Sequence, residues 1–307
     1  MKTTFYSNGK LLITGEYLVL DGAKALALPT KFGQNLIVEK SKNNEINWKS
    51  YDADGSLWFD DTISLEAVKT TTPFDTESVK NTLITILREA YQLNPDPITS
   101  SDGYIVSTGL TFPRKWGLGT SSTLINNIAQ WFEIDAFTLL KNSFGGSGYD
   151  IACAQNNCPV LYQIEQGKPQ VESVKFDPSF TNNLYFVYLN QKQSSKTAIA
   201  SYKEKKNNLE IQKKQITDIT QIILNADSKT IFEENLEKHE RILSAVLNIK
   251  TVKESLFPDF NGTIKSLGAW GGDFVMVVSE ENPKSYFLDK GYETIMKYSE
   301  MILQTEE

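Results

Sequence analysis

The sequence predicts an α+β fold made of two halves. Short apolar runs with strand-like alternation fill residues 10–60 and return after about residue 160, and stretches of helical periodicity follow each group of strands. A chain of 307 residues is long enough for two domains. We therefore expect two halves, residues 1–175 and 176–307, each with helices beside a mostly antiparallel sheet.

The first half begins with strands and continues with helices. A helix is predicted within residues 75–93, because Val79, Leu83 and Leu87 recur on one helical face. A strand over residues 103–110 comes next, and residues 122–132 show a second helical stripe directly after a glycine-rich loop. The earlier strands, separated by Gly, Asn and Asp, are predicted over residues 10–20 (as two short runs), 26–30, 35–40, 46–53 and 56–60.

The second half repeats this order. Strands are predicted over residues 160–165, 170–176 and 184–190, and long helices over Ser201–Leu224 and Lys229–Ile249. A third glycine-rich loop then leads into a strand-like run that starts at Phe274. Residues 283–303 close the chain with helical periodicity.

Composition excludes several classes of function. Asp and Glu outnumber Lys and Arg by 38 to 31, and the resulting net charge of −7 argues against a nucleic-acid-binding protein. The only histidine, His239, rules out a site with several histidine ligands, and its apolar neighbours at helical spacing predict a place at the edge of the core. Cys153 and Cys158 are expected to be reduced thiols. Without a run of about 18 apolar residues or a signal-peptide pattern, we expect a cytoplasmic protein.

The most informative segment is residues 117–122, Gly-Leu-Gly-Thr-Ser-Ser, at the start of a predicted helix. Its glycines allow close approach of a ligand, and a helix N-terminus offers unpaired N–H groups to a phosphate. Arg114 and Lys115 add positive charge just upstream. A glycine turn with a Ser/Thr helix cap is the simpler alternative. The loop matches neither the Walker A motif nor the dinucleotide fingerprint.

Two more glycine loops follow. Residues 145–150, Gly-Gly-Ser-Gly-Tyr-Asp, end on Asp150, which is either a helix cap or a catalytic carboxylate on a tight turn. Residues 268–273, Gly-Ala-Trp-Gly-Gly-Asp, precede a strand. Near the N-terminus, Lys10 follows Gly9 on the first strand, and Gly-Glu-Tyr comes just after it. Each feature is weak alone, and their order along the chain carries the signal.

In this order the motifs resemble the GHMP kinase superfamily over essentially the whole chain. The run GEYLVLDG (residues 15–22) and the loop ending in Gly-Gly-Asp resemble the mevalonate and phosphomevalonate kinase branch. Residues 148–152, GYDIA, resemble the signature of a bacterial group, the GYDIA-type GHMP kinases. The resemblance implies a nucleotide-binding domain like ribosomal protein S5 in residues 1–175 and a ferredoxin-like, substrate-side domain in residues 176–307.

The resemblance also implies an activity. Such a protein is an ATP- and Mg²⁺-dependent kinase that transfers the γ-phosphoryl group to a hydroxyl or phosphate of a small acid metabolite, with mevalonate or phosphomevalonate as the first candidates. Its partner is then a small molecule, neither a nucleic acid nor a membrane, and it is a monomer or homodimer. A diphosphomevalonate decarboxylase-like enzyme and a non-catalytic nucleotide or metabolite binder on the same fold are the alternatives.

Individual residues take roles from the same resemblance. Asp150 takes or orients the proton of the acceptor hydroxyl, and Lys10 balances its charge. Either Thr120 or Ser121 ligates Mg²⁺. The ATP phosphates are bound by Lys115, Gly117, Leu118, Gly119, Thr120, Ser121 and Ser122. The acceptor pocket is lined by Glu16, Tyr17, Ser147, Tyr149, Lys196 and Gly271, with Lys196 in a polar loop over residues 193–197.

Three departures from the family pattern stand out. Residues 7–10 read Ser-Asn-Gly-Lys where Ala-Pro-Gly-Lys is common. The third loop has Trp270 where glycine is usual, and a bulky indole there is expected to narrow the acceptor or phosphate site. A Mg²⁺-binding glutamate of mevalonate kinases would fall near Leu139, where no carboxylate stands, and Glu133 and Asp135 are candidates only with a shifted register.

Overall fold

The computed structural model describes residues 2–72, 74, 78–192, 195–205 and 208–304. The chain divides into two compact units, and strands β1 (Lys2–Leu12) and β2 (Ala25–Lys40) each contribute residues to both. Unit 1 comprises the chain up to Gly9, Phe32–Arg114 and Leu118–Gln155. Unit 2 comprises Lys10–Lys31, Lys115–Gly117 and the chain from Asn156 onward. The predicted domain boundary after residue 175 stays a prediction.

Unit 1 packs a mixed sheet against helices. Its strand order is β4 (Leu57–Ser64), β3 (Glu45–Tyr51), β5 (Tyr104–Leu110) and the second part of β2. Strand β3 is parallel to β5, and the other two pairs are antiparallel. The apolar face of these strands and the apolar stripes of the helices form one core, which includes Trp48, Leu87 and Ile128. The helices are α1 (Leu65–Lys69), α2 (Val79–Leu93), α3 (Asp96–Thr99), α4 (Thr120–Phe132), α5 (Ala136–Ser143) and α6 (Tyr149–Gln155).

Unit 2 contains an antiparallel four-stranded sheet in the order β11 (Ile295–Lys297), β8 (Leu184–Tyr188), β10 (Phe274–Val278) and β9 (Thr263–Ser266). Its core includes Val187, Phe257 and Val275. Strand β6 (Val160–Glu165) pairs antiparallel with the first part of β2 and with β7 (Lys168–Ser173). The helices are α7 (Ser195–Lys205), α8 (Glu210–Leu224), α9 (Lys229–Leu247), α10 (Val252–Leu256), α11 (Lys284–Asp289) and α12 (Tyr298–Met301).

The predicted α+β class is confirmed, and helices form where residues 75–93, 122–132 and 229–249 predicted them. Short 3₁₀ helices cover Leu18–Asp21, Arg114–Trp116 and Thr181–Asn183. Within the described ranges, each helix is too short or too polar to cross a bilayer.

Two predictions for the first half are wrong. Residues 26–30 and 35–40 belong to one 16-residue strand, β2. Residues 31–34, which interrupt the apolar pattern, stay extended because β2 pairs with β6 before them and with β5 from Gln34 onward. The run before residue 20 is a 3₁₀ turn rather than a strand, and Gly22, with φ of 88°, ends it.

Two predictions for the second half are also wrong. The single helix expected over Ser201–Leu224 is two helices, since α7 ends at Lys205 and α8 begins at Glu210. The helical period over residues 283–303 corresponds to two short helices and strand β11. Gly291, with φ of 83°, interrupts that segment after α11, and a left-handed glycine cannot continue a right-handed helix.

Candidate active site

The middle glycine loop makes the turn that starts α4. Gly117 and Gly119 have φ of 72° and 100°, in the left-handed region that favours glycine. Gly119 is the N-cap residue and no side chain in the described part of the chain caps α4, whereas Ser78, Asp135 and Ser228 cap α2, α5 and α9. The alternative that a hydroxyl of this loop caps the helix is therefore wrong. The first amides of α4 lack a side-chain acceptor, which is the arrangement that binds anions at helix N-termini.

The three hydroxyl residues that follow have different environments. Ser122 is buried, and its hydroxyl donates to the Gly119 carbonyl oxygen at 2.9 Å. Thr120 is half-buried and Ser121 is exposed, and neither hydroxyl bonds to the part of the chain that the structure describes. Leu118 is fully buried, so only its backbone is available to a ligand. Of the three hydroxyls, those of Thr120 and Ser121 are the ones left for phosphate or Mg²⁺.

The second glycine loop leads into α6, whose first turn carries Asp150. Gly145, Gly146 and Gly148 all have positive φ, between 77° and 111°, and the Gly148 carbonyl oxygen accepts the first amide bonds of the helix. The apolar side of α6 is buried in unit 1, whereas Asp150 itself is half-buried. Ser147 and Tyr149 are half-buried as well. The loop thus places a carboxylate in the accessible first turn of a short helix whose middle residues are buried.

Lys10 and the third loop meet at Gly117 within unit 2. The Lys10 Nζ donates to the Gly117 carbonyl oxygen at 3.2 Å, and the Lys10 side chain is almost buried. On the Cα side of Gly117 lies the Asp273 carboxylate, so close that an added Cβ would stand 2.3 Å from Asp273 Cγ. Asp273 has a left-handed φ of 53°. The strand-one lysine and the third-loop aspartate therefore both contact the residue that begins the middle loop.

Asp273 contacts the middle loop, a contact that the sequence analysis does not predict. The sequence indicates only that its loop precedes a strand, with no role for the aspartate. The available signal was a carboxylate directly after two glycines, the same pattern that drew attention to Asp150. What the pattern does not reveal is the contact with Gly117, which lies 156 positions earlier in the printed sequence.

Aromatic packing fixes the start of the middle loop in unit 2. The Trp116 ring lies 5.4 Å from Phe274 in an edge-on arrangement and 6.4 Å from Tyr188. The Tyr188 hydroxyl donates to the Lys115 carbonyl oxygen at 3.0 Å, while the Lys115 side chain is exposed. Lys115, which is predicted to bind phosphate, therefore has a backbone held by Tyr188 and a side chain exposed to solvent.

Glu16 lies in a buried cluster of charged and polar side chains in unit 2. Its Oε1 accepts a hydrogen bond from Lys265 Nζ, which also pairs with Glu240 at 3.2 Å. The Ser266 amide and hydroxyl donate to Glu240 at 3.2 and 3.0 Å. His239 Nε2 accepts the Gly15 N–H at 3.0 Å and stands 3.3 Å from Glu16 Oε2. We call Glu16, His239, Glu240 and Lys265 the buried charge cluster.

Burial controls protonation in this cluster. Desolvation raises the pKa of the Glu16 carboxyl to about 7, although Lys265 opposes it, and burial likewise raises the pKa of Glu240. Desolvation and the nearby Lys265 ammonium hold the pKa of His239 well below its usual value. His239 is fully buried rather than at the edge of the core. The Glu16 carboxyl group is already bonded to Lys265. Its predicted contact with an acceptor stays a prediction.

Tyr17 and the third loop also contact each other in unit 2. The Tyr17 hydroxyl accepts the Trp270 backbone N–H at 3.1 Å, and its ring lies 5.5 Å from Tyr202. The Trp270 indole is buried in the apolar cluster that these tyrosines border, and Gly271 beside it is exposed. The bulk of Trp270 is therefore accommodated within this apolar cluster, and the acceptor-pocket assignments of Tyr17 and Gly271 remain predictions.

The last predicted contacts concern Lys196 and a metal carboxylate. The loop predicted over residues 193–197 is helical from Ser195 onward, and the Lys196 side chain lies outside the described residues. Asp135 caps α5 by accepting the Thr138 N–H at 2.7 Å, and Leu139 lies in the core. Among the residues described, no group of three or more His, Cys, Asp or Glu could hold a metal ion.

Comparison with known proteins gives matches at the level of structure. No family model matches the sequence, and no curated protein sequence matches it. The structure resembles mevalonate kinase from Methanococcus jannaschii with a TM-score of 0.70 at 16% identity, covering 99% of both chains. It resembles phosphomevalonate kinase from Streptococcus pneumoniae, solved with phosphomevalonate and AMPPNP, with a TM-score of 0.68 at 17% identity, again over 99% of both chains.

A sugar kinase is almost as similar. Galactokinase from Lactococcus lactis, complexed with galactose, matches with a TM-score of 0.66 at 12% identity over 99% of this chain and 95% of the other. These proteins are kinases of the GHMP class, and likeness at such low identity establishes the fold. The chain has the GHMP kinase fold.

Proposed function

We propose that this chain, which has the fold of the GHMP kinases, is an ATP-dependent kinase for a small acid metabolite. One observation carries the proposal. Helix α4 begins at a left-handed glycine with no side-chain cap, and the hydroxyls of Thr120 and Ser121 in its first turn have no partner among the residues that the structure describes. This arrangement presents backbone amides and hydroxyls to a phosphate group.

Phosphoryl transfer depends mainly on positioning and on neutralising charge, and the chain's residues divide these tasks. The amides of Gly119 and the first turn of α4 bind phosphate oxygens, and Lys10 and Lys115 add positive charge. Asp150 accepts the proton that the acceptor hydroxyl loses as it attacks the γ-phosphorus. A phosphate acceptor attacks through an oxygen that is already ionised, so Asp150 would then orient it.

Mg²⁺ fits the donor set of this site. The Thr120 and Ser121 hydroxyl oxygens have no partner among the described residues, and Mg²⁺ prefers oxygen ligands and retains water and phosphate oxygens around it. When bound, the ion neutralises charge on the phosphates. Thr120 and Ser121 are the residues that would hold it.

Mevalonate and phosphomevalonate are the acceptors we favour. The Gly15–Glu16–Tyr17 segment and the third loop, joined by the bond from Trp270 to Tyr17, support an acceptor site shared by that branch. The net charge of −7 supports a small-molecule partner over a nucleic acid. We place the enzyme in the cytoplasm, as a monomer or homodimer.

The test is ADP release with Mg²⁺-ATP and a panel of mevalonate, phosphomevalonate, galactose and homoserine. We expect turnover of mevalonate or phosphomevalonate, and a fall in kcat of at least about 100-fold for Asp150→Asn with ATP binding retained. Asp135→Asn is the matched control, because asparagine still caps α5 and only the charge is lost.

Three outcomes contradict the proposal. Equal kcat for Asp150→Asn and wild type would remove the role of Asp150. Release of CO₂ from diphosphomevalonate would indicate the decarboxylase alternative. Tight ATP binding without turnover of any acceptor would indicate a non-catalytic nucleotide binder.

A further inference from the structure

A polar cluster is buried between α4, α6 and β1 in unit 1. The Asn126 Nδ2 donates to the Ser7 hydroxyl at 2.8 Å and lies 3.5 Å from the Ala154 carbonyl oxygen. Its Oδ1 accepts a hydrogen bond from Gln155 Nε2 at 3.1 Å. Asn126 is almost completely buried, and its amide is bonded on both sides. One side chain of α4 therefore holds both the last turn of α6 and strand β1.

The neighbouring Asn127 is equally buried but has different partners. Its Oδ1 accepts the Ser7 hydroxyl at 2.7 Å, and its Nδ2 donates to the Gln34 carbonyl oxygen at 2.9 Å. These bonds connect α4 to β1 and β2, and none of them reaches α6. The two asparagines thus share Ser7 and differ in whether they hold the helix that carries Asp150.

Helix α6 needs an external anchor for two reasons. It has seven residues, too few for a helix to be stable without tertiary contacts. The loop before it contains three glycines with positive φ, so the chain entering the helix is conformationally permissive. Its apolar contacts favour burial but have no preferred direction, whereas hydrogen bonds to a fully paired amide specify one position.

We propose that Asn126 is a positioning residue, which fixes the helix bearing Asp150 in one register against α4, the helix that begins at the phosphate loop. The inference rests on the proposed kinase function. Displacement of a reacting group by about 1 Å is enough to lower a rate about 100-fold, so loss of this anchor lowers kcat while the phosphate loop itself stays intact. Ser7, at a position where the kinase family commonly has alanine, forms a hydrogen bond with each of the two asparagines.

The test compares Asn126→Ala with Asn127→Ala, using Mg²⁺-ATP with mevalonate and with phosphomevalonate. Both variants lose a Ser7 partner, so both should lose stability to a similar extent. We expect kcat to fall about 10- to 100-fold in Asn126→Ala, with the ATP KM within about threefold of wild type. Asn127→Ala should keep kcat within about threefold. Equal losses of kcat in the two variants, or none in Asn126→Ala, would overturn the proposal.

Gln155→Ala provides a second, milder variant, because Gln155 is exposed and its truncation leaves the core untouched. In the double variant with Asn126→Ala, Gln155→Ala should cause no further loss of kcat. In the double variant with Asn127→Ala, its effect on kcat should add to that of Asn127→Ala. Additive losses with Asn126→Ala would mean that the two residues act separately and would overturn the anchor.

Hydrogen exchange separates this inference from the proposed function. Amides in the Tyr149–Gln155 helix should exchange faster in Asn126→Ala and at the wild-type rate in Asn127→Ala. Unchanged exchange in Asn126→Ala overturns the anchor even if the protein is a kinase. Faster exchange together with no turnover by the wild type keeps the anchor and overturns its catalytic purpose.

Discussion

Gly117 is held between the Lys10 ammonium, which bonds its carbonyl oxygen, and the Asp273 carboxylate, which packs against its Cα. Its φ of 72° disfavours any other residue, and the space for a side chain is already filled. Gly145 has nearly the same φ, 77°, but a Cβ added there would meet no atom of the described residues within 4 Å. Comparing alanine substitutions at Gly117 and Gly145 therefore separates the loss of stability due to backbone strain from the loss due to a steric clash.

We predict that Gly117→Ala lowers the free energy of unfolding by about 1–3 kcal/mol more than Gly145→Ala does. Both variants carry the left-handed strain of about 1–2 kcal/mol, and only the first displaces Asp273. Urea unfolding followed by circular dichroism measures the difference. Adding Asp273→Ala to Gly117→Ala should remove most of the excess, and equal costs at the two glycines would contradict the packing argument.

At the scale of elements, the helices differ in how their N-termini are satisfied. In α9, the Ser228 hydroxyl accepts the Ile231 N–H at 3.3 Å, and comparable side-chain caps start α2 and α5. In α4, a hydroxyl residue stands at the first helical position, but the cap is Gly119. The hydroxyl at the start of α9 therefore caps the helix, whereas the Thr120 hydroxyl at the start of α4 does not.

Ser228→Ala should lower the free energy of unfolding by about 1 kcal/mol and leave ATP binding unchanged, because only a cap is lost. Thr120→Ala should change stability by less than about 0.5 kcal/mol and weaken Mg²⁺-ATP binding about tenfold, the usual cost of losing a bond to a charged group. Urea unfolding and calorimetric titration with ATP, with and without Mg²⁺, measure both effects. A loss of stability in Thr120→Ala as large as that in Ser228→Ala would show that Thr120 acts as a cap.

How much of each element could be predicted depended on whether its signal is local. Helix α9 follows its apolar stripe to within two residues of the predicted end, because periodicity over five turns is hard to mistake. The break between α7 and α8 lacks a proline or glycine, and the helical pattern therefore continued across it. The sequence pattern divides strand β2 at residues 31–34, where the apolar run is interrupted, and the pairing with β6 and β5 that makes it one strand is not visible in the sequence.

Across the whole molecule, the sequence motifs located the loops but not their partners. The contacts of Gly117 with Asp273 and of Asn126 with Gln155 join segments that periodicity treats separately. The buried charge cluster was harder still, because Glu16 and its partner Lys265 are 249 positions apart and each looks ordinary in its own segment. Acceptance of the Gly15 N–H by His239 likewise depends on a contact 224 positions away. Long-range polar pairing leaves no periodic trace, and that part of the site required the structure.

The buried charge cluster makes the stability of the protein depend on pH in two opposing ways. The pKa of Glu16 is raised from 4.5 to about 7 by burial, so between these values the native state keeps a proton that the unfolded chain releases. Its contribution to the free energy of unfolding therefore falls as pH rises from about 4.5 to about 7. The pKa of His239 is lowered from 6.5, so below pH 6.5 the unfolded chain binds the proton first and stability falls as pH decreases.

His239→Gln should isolate one of these contributions, because glutamine does not titrate and its amide oxygen can still accept the Gly15 N–H. Between pH 6.5 and 5.5 the unfolded histidine gains proton binding worth about 1 kcal/mol, which destabilises wild type but not the variant. Urea unfolding at pH 5.5, 6.5 and 7.5 measures this difference. Relative to wild type, the free energy of unfolding of the variant should rise by about 1 kcal/mol as pH falls from 6.5 to 5.5, and should change little between pH 7.5 and 6.5.

Glu16→Gln is the control of opposite sign, since its free energy of unfolding should rise relative to wild type as pH increases from about 4.5 to about 7. A difference between His239→Gln and wild type that stays constant from pH 5.5 to 7.5 would mean that the native histidine is protonated as readily as the unfolded one, contrary to its complete burial beside Lys265.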